Sequence, residues 1–257
     1  MRDTASDGFD SPSSVALTDS FAYVANVAYR SAAEGYGPGS ITVIDRQSQT
    51  VSSTFETIFE NPHFLSTEVI DGQQTLLVSG AGALDMAQES VTVSSDGGLE
   101  WYDIGVDPVD PLVESFSLSQ KDEETIGAAG RPILVEERDR LYFVSAIAPV
   151  LFVFDLQERR WVYDAISPLI LYETDGDATH RAAFGDDGLL WITAFNEDQL
   201  YLFDTACDEL VAPPIDLGGV ADMLEGPQAV TVVDRGDHVE GHYLLSIANY
   251  MGRVTLR

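Results

Sequence analysis

The chain has 257 residues, with 43 acids against 13 bases and a formal net charge of −30. That balance excludes nucleic acid, whose phosphates demand a basic surface, and disfavours anionic membranes, while it suits cations, basic partners or simple dispersal in salt. The single cysteine, Cys207, excludes an internal disulfide and a cysteine metal cluster, and no apolar run is long enough to span a membrane.

Residues 1–11 are polar, carry Gly8 and lead into Pro12, and make a poor strand. From Pro12 onward the chain reads as a β-rich unit recurring about every 50 residues, the period of a β-propeller blade. The first strand of each unit opens at a turn residue: Pro12-Ser13-Ser14-Val15, Pro62-His63-Phe64-Leu65, Pro132-Ile133-Leu134-Val135, His180-Arg181-Ala182-Ala183 and Pro227-Gln228-Ala229-Val230. Proline lacks an N–H, so it suits the start of a strand and not its middle. Asp71-Gly72, Asp186-Asp187-Gly188 and Arg235-Gly236-Asp237 then supply hairpin turns, because Asp and Gly accept positive φ cheaply.

The second strand carries bulk followed by small residues: Tyr23-Val24-Ala25-Asn26, Leu77-Val78-Ser79-Gly80, Phe143-Val144-Ser145-Ala146, Trp191-Ile192-Thr193-Ala194 and Ser246-Ile247-Ala248-Asn249. The third ends on aspartate four times, in Ile41–Asp45, Leu99–Asp103, Leu151–Asp155 and Leu200–Asp204. A residue that recurs once per blade is structural: each carboxylate accepts backbone N–H groups of the turn that follows. Fourth strands are expected at Val51–Thr57, Val113–Leu118, Trp161–Ile166 and Glu209–Ile215, the last weakened by Pro213 and Pro214 as suits an outer edge. The insertions Ser31–Gly39, Ala83–Gly98 and Lys121–Gly130 read as loops on a propeller face.

The expected fold is therefore all-β, one propeller domain over 12–257 with five visible blades at about 12–59, 60–119, 130–167, 178–217 and 225–257. The last blade stops at its third strand, Arg253–Arg257. Two readings stay open: the amino-terminal segment supplies the missing strand, or the five blades are part of a larger ring.

The starts of the first strands should gather at the mouth of the central channel, which places Ser13, His63, Ile133, Arg181 and Gln228 together. His63 is the acid/base candidate, Arg181 the group for an anion, and Gln228 a further ligand-binding side chain. Glu225, in Glu225-Gly226-Pro227, is the candidate metal ligand: with Asn26, Asn249 or Asp177 it could hold Ca2+ through oxygen. Asp175-Gly176-Asp177 and Asp186-Asp187-Gly188 lack the alternation and terminal glutamate of a calcium loop and read as turns. Cys207, beside Asp208 and Glu209, reads as an incidental thiol.

Ala22-Tyr23-Val24-Ala25-Asn26, then Gly39-Ser40-Ile41-Thr42-Val43-Ile44-Asp45 and Gln49-Thr50-Val51, resembles the YVTN-type β-propeller repeat. Trp191-Ile192-Thr193 and Leu200–Asp204 are similar to the related streptogramin-lyase and NHL-type propellers. The resemblance implies a secreted, periplasmic or cell-surface bacterial or archaeal protein, commonly a binding scaffold. Some such propellers are lactonases or metal-dependent lyases, and Glu225-Gly226-Pro227 resembles the Glu-Gly-Pro of gluconolactonase-type propellers, displaced here to the last blade. The sequence thus points to a non-catalytic scaffold that binds a protein or small ligand at its rim or channel mouth, with a divalent-cation-dependent lactonase or lyase as the alternative.

Overall fold

The computed structural model describes residues 8–31, 33–85, 92–105, 112–119, 128–145, 147–172, 180–185, 187–211, 213–217, 227–233, 242–247 and 250–255. Among them there is no α-helix, and no helix long and apolar enough to cross a membrane. The strands form successive antiparallel sheets in which chain order is sheet order. Blade I is Pro12–Leu17, Phe21–Asn26, Ser40–Asp45 and Thr50–Glu56; blade II is Pro62–Ile70, Gln73–Gly80, Gly98–Asp103 and Leu112–Ser117. Blade III is Pro132–Val135, Arg140–Val144, Val150–Asp155 and Arg160–Tyr163, and blade IV is His180–Phe184, Leu189–Ala194, Gln199–Asp204 and Glu209–Leu210. Blade V shows three strands, Pro227–Val233, His242–Ile247 and Tyr250–Thr255.

The apolar runs have a direct cause: successive residues on a strand point to opposite faces, and each inner blade is buried on both. In blade II, Leu76 and Val78 pack on Tyr23, Ile41 and Val43 of blade I, while Leu77 and Leu99 pack on Leu141, Phe143 and Phe152 of blade III. Tyr142, Leu151 and Val153 turn the other way, onto Leu190, Ile192 and Phe203 of blade IV. Trp191 and Leu200 then meet Val230 of blade V.

The recurring aspartates do what turn chemistry demands. Asp45 Oδ1 accepts from the Ser48 N–H (2.7 Å), Asp103 Oδ1 from Gly105 (3.0 Å), Asp155 Oδ1 from Glu158 (2.8 Å) and Asp204 Oδ1 from Ala206 (2.7 Å). Asp71 and Gly72 both take positive φ (54° and 78°), the requirement of a type I′ hairpin.

Three of the Asp-led turns close on a non-glycine residue in the left-handed region, Gln49 (φ 59°), Arg159 (φ 49°) and Asp208 (φ 56°). A side chain is strained there by about 1–2 kcal/mol, partly offset by the greater freedom glycine has when unfolded. Gln49→Gly is therefore expected to raise stability by about 0.5–1 kcal/mol. A rise in the urea midpoint with unchanged slope would show it; a fall would mean that the Gln49 side chain holds the turn.

Two expectations need correction. The insertions at 31–39 and 83–98 are not plain loops: Tyr29–Ser31 pairs with Gly35–Tyr36, and Leu84–Asp85 with Thr92–Val93. The outer strand of blade III ends at Tyr163, not Ile166, because the Asp164 carboxylate accepts from the N–H groups of Ile166 (3.0 Å) and Ser167 (2.9 Å) and turns the chain. The chain then returns to the third strand at Leu169–Ile170. Blade IV repeats this device, with Ile215–Asp216 pairing after the two prolines.

Candidate functional site

The first strands of all five blades wall one cavity of about 340 Å³. Ser13, Ser14 and Val15 come from blade I; His63, Phe64 and Leu65 from blade II; Gly130, Arg131 and Ile133 from the entry to blade III; Arg181 and Ala182 from blade IV; and Val230 from blade V. This is the gathering of strand starts at a channel mouth that the repeat alignment predicts.

Local backbone geometry aims part of this set. In blade I the ladder pairs Pro12 with Asn26 and then Ser14 with Ala25, so Ser13 is the extra residue of a bulge. Blade II does the same at His63, between Pro62 paired with Gly80 and Phe64 paired with Ser79, and blade V at Gln228. A bulge re-aims a side chain without ending the strand. Blades III and IV pair without a bulge, from Pro132 with Phe143 and from His180 with Ala194. Hydroxyls join the neighbours: Ser13 Oγ donates to the Pro62 carbonyl (3.2 Å), and Ser14 Oγ accepts from the Leu65 N–H (3.3 Å).

His63 and Arg181 are brought together around Phe64. The His63 and Phe64 rings meet edge to face with centroids 4.6 Å apart, and the Arg181 guanidinium carbon lies 5.1 Å from the Phe64 centroid. That cation–π contact places the charge over the ring. Thr193 fixes the Arg181 backbone, its Oγ1 accepting from the Arg181 N–H (3.1 Å) and donating to the Arg181 carbonyl (3.2 Å). Burial, helped by the Arg181 charge, holds His63 below its ordinary value, so its imidazole is neutral at pH 7. Burial also lowers Arg181, but a guanidinium keeps its charge. The titratable groups among the described wall residues are thus one neutral imidazole and two cations, Arg131 and Arg181. Among the described wall residues, the charge is thus opposite in sign to the chain's net −30.

Comparison with known proteins supports the architecture. No protein-family model matches the chain, and no curated protein matches it in sequence. Among solved structures, the periplasmic gluconolactonase PpgL of Pseudomonas aeruginosa superposes with a TM-score of 0.62 at 16% identity, over 96% of this chain and 68% of that one. Hydrazine synthase of Kuenenia stuttgartiensis superposes with a TM-score of 0.51 at 13% identity, over 95% of this chain and 83% of that one. The fold is a β-propeller. At these identities the likeness is one of fold alone.

Of the residues that sequence reasoning placed at the mouth, Ser13, His63, Ile133 and Arg181 line the one cavity. Gln228 has its backbone in the matching bulge, and its side chain lies outside what the structure describes, as do Glu225, Asp177 and Asn249 altogether. Asn26 is not available as a calcium ligand. It is fully buried, its Oδ1 accepts from the Asp10 N–H (3.1 Å), and its Nδ2 donates to Thr42 Oγ1 (3.0 Å). Among the described residues no three His, Cys, Asp or Glu side chains group to hold a metal. Cys207 is exposed, its thiol pushed up by desolvation and by Asp204 and Glu209, in keeping with an incidental role. Arg131 and Phe64 escaped the sequence reading; the signal for Arg131 was a cation directly before the proline that opens blade III.

Proposed function

We propose that the protein is an extracytoplasmic β-propeller that binds a small anion, a carboxylate or a phosphate, at the mouth of its axial channel. One observation carries the reading: Arg131 and Arg181, on separate blades, converge with His63 and the serines of blade I on one cavity, inside an otherwise strongly acidic protein. A guanidinium beside low-dielectric walls attracts an anion more strongly than one on an open surface. The surrounding acids repel anions elsewhere, so the mouth is where an anion gathers. The YVTN-like spacing of blade I and the periplasmic setting of the gluconolactonase neighbour support an export-side location.

The test is a calorimetric titration at constant ionic strength with inorganic phosphate and with acetate, against methylammonium. Saturable binding of either anion at one site per chain, lost in Arg181→Gln, is the expected result. Binding of methylammonium alone would overturn the reading.

A second reading is hydrolysis of a lactone at the same site. It is favoured by a neutral His63 beside Arg181, a base for water and a cation for a developing oxyanion. The name of the gluconolactonase neighbour fits it. Glucono-lactone opening above the spontaneous rate, lost in His63→Ala, would put this reading in place of simple binding.

A further inference from the structure

Behind the mouth the channel stays polar and gains a charge of the opposite sign. A second cavity of about 260 Å³ shares Arg131, Ile133, Ala182 and Val230 with the first, so the two adjoin along those walls. Glu68 of blade II lines the second cavity and is the only acid among the described residues that wall either one. It is half-buried, and burial raises its carboxyl although the Arg131 charge pulls the other way, so its ionised form is short of compensation. Among the described ion pairs none joins Glu68 to Arg131. Phe64, whose ring lies under the Arg181 guanidinium, and Glu68 stand on one strand, and the ladder between them runs without a bulge. Being four residues apart, they point from the same face of that strand, about 13 Å from one another along it.

We propose that the ligand is an ω-amino carboxylate, a zwitterion whose carboxylate rests against Arg131 and Arg181 and whose ammonium reaches Glu68. The inference rests on the anion-binding reading of the mouth and adds the group at the other end of the ligand. A plain carboxylate leaves Glu68 unanswered, a dicarboxylate sets like charges together, and a simple amine has to pass two arginines. A zwitterion meets both signs, and without net charge it is not repelled by a chain of net charge −30. The spacing selects among zwitterions. An α-amino acid holds its charges on adjacent carbons, too close together for a span set by four residues of strand, whereas a chain of several methylenes lets each end reach its partner.

The experiment is calorimetry on the whole chain at pH 8 and fixed ionic strength, with glycine, β-alanine, γ-aminobutyrate, δ-aminovalerate and ε-aminocaproate, each against the unsubstituted straight-chain carboxylate of the same carbon number. At that pH the amines are protonated and the carboxylates, Glu68 included, are ionised. Affinity should climb from glycine along the amino series. The two longest members should bind at least about ten-fold more tightly than valerate and caproate, the gain of one charge-assisted hydrogen bond. Glu68→Gln should remove that gain and leave valerate and caproate binding at least as tightly as before. Equal affinity for amino and unsubstituted acids in the unaltered protein would leave the anion site standing and overturn the zwitterion, with no variant needed. A gain that survives Glu68→Gln would overturn the role of Glu68. A series that is tightest at glycine would overturn the spacing. Failure of every acid to bind would remove the anion site, and this inference with it.

Discussion

Replacing Glu100 with alanine is expected to destabilise the protein by about 3–5 kcal/mol, the range for stripping a buried charge of its partners or its partners of their charge. Glu100 is fully buried in the third strand of blade II. Its Oε2 accepts from the Ile58 N–H (3.0 Å) and from the Tyr102 hydroxyl, and its Oε1 from the Phe59 N–H (3.1 Å). The carboxylate thus ties the turn that leaves blade I to the core of blade II. Alanine would leave two backbone donors and a phenol buried without an acceptor, each at about 1–3 kcal/mol. The turn has little room to adjust, because Phe59 packs over Gly80 and Gly98: a Cβ at Gly98 would lie 2.7 Å from its ring and 2.2 Å from the Phe116 carbonyl. Glu100→Gln keeps one acceptor oxygen and sets an amide N–H against a remaining donor, so about 1–3 kcal/mol should be lost. Urea unfolding of the three proteins would order them wild type, Gln, Ala; equal loss in both variants would mean that the chain refills the site.

The same residue gives a pH signature. Burial pushes the Glu100 carboxyl up, against the downward pull of the Tyr102, Ile58 and Phe59 donors. A carboxyl raised in the folded state contributes stability that is present below its unfolded value of 4.5 and is lost as pH rises through the raised folded value. Glutamine does not titrate. The deficit of Glu100→Gln should therefore be larger at pH 4.5 than at pH 8.

Glu100 also shows where sequence reading succeeds and where it stops. The strands were legible because each inner blade is covered on both faces, so that Leu76-Leu77-Val78 or Leu151-Phe152-Val153-Phe154 must be apolar throughout. The turns were legible because Asp45, Asp103, Asp155 and Asp204 perform one task each. Glu100 stands where the other blades place Thr42, Phe152 and Tyr201, and that conflict with a buried position was the visible trace of a special contact. Its partner turn, some forty residues back, left no trace. At the mouth, aligning strand starts brought His63 and Arg181 together correctly. The bulges at Ser13 and His63 were invisible, because Pro132-Ile133 looks like Pro12-Ser13 and Pro62-His63 yet pairs without one. Two-for-one pairing is set by the neighbouring strand and the twist of the sheet, not by a residue type. Arg131 fell outside the aligned frame for the same reason.

Replacing Arg181 with glutamine is expected to weaken anion binding by about 2 kcal/mol or more, roughly thirty-fold, because a half-buried anion loses a charged partner and meets an amide. The informative readout is its pH dependence, measured with methanesulfonate, which stays anionic throughout. In the unaltered protein His63 is held below 6.5 by burial and by Arg181. Protonation adds a third positive charge to a cavity that already holds Arg131 and Arg181, so affinity should rise as pH falls below that value. Binding should take up protons on the same limb. The acids of the wider surface also protonate on the acid side and relieve the field, but at about 0.15 M salt that effect is screened beyond about 8 Å. His63→Gln separates the two: it should abolish the steep acid limb and leave only the shallow one. Arg181→Gln should keep the limb but move it upward in pH, since one of the two causes that depress His63 is gone. An acid limb unchanged in His63→Gln would place the proton elsewhere. A limb that moves downward in Arg181→Gln would mean that Arg181 and His63 do not share the mouth.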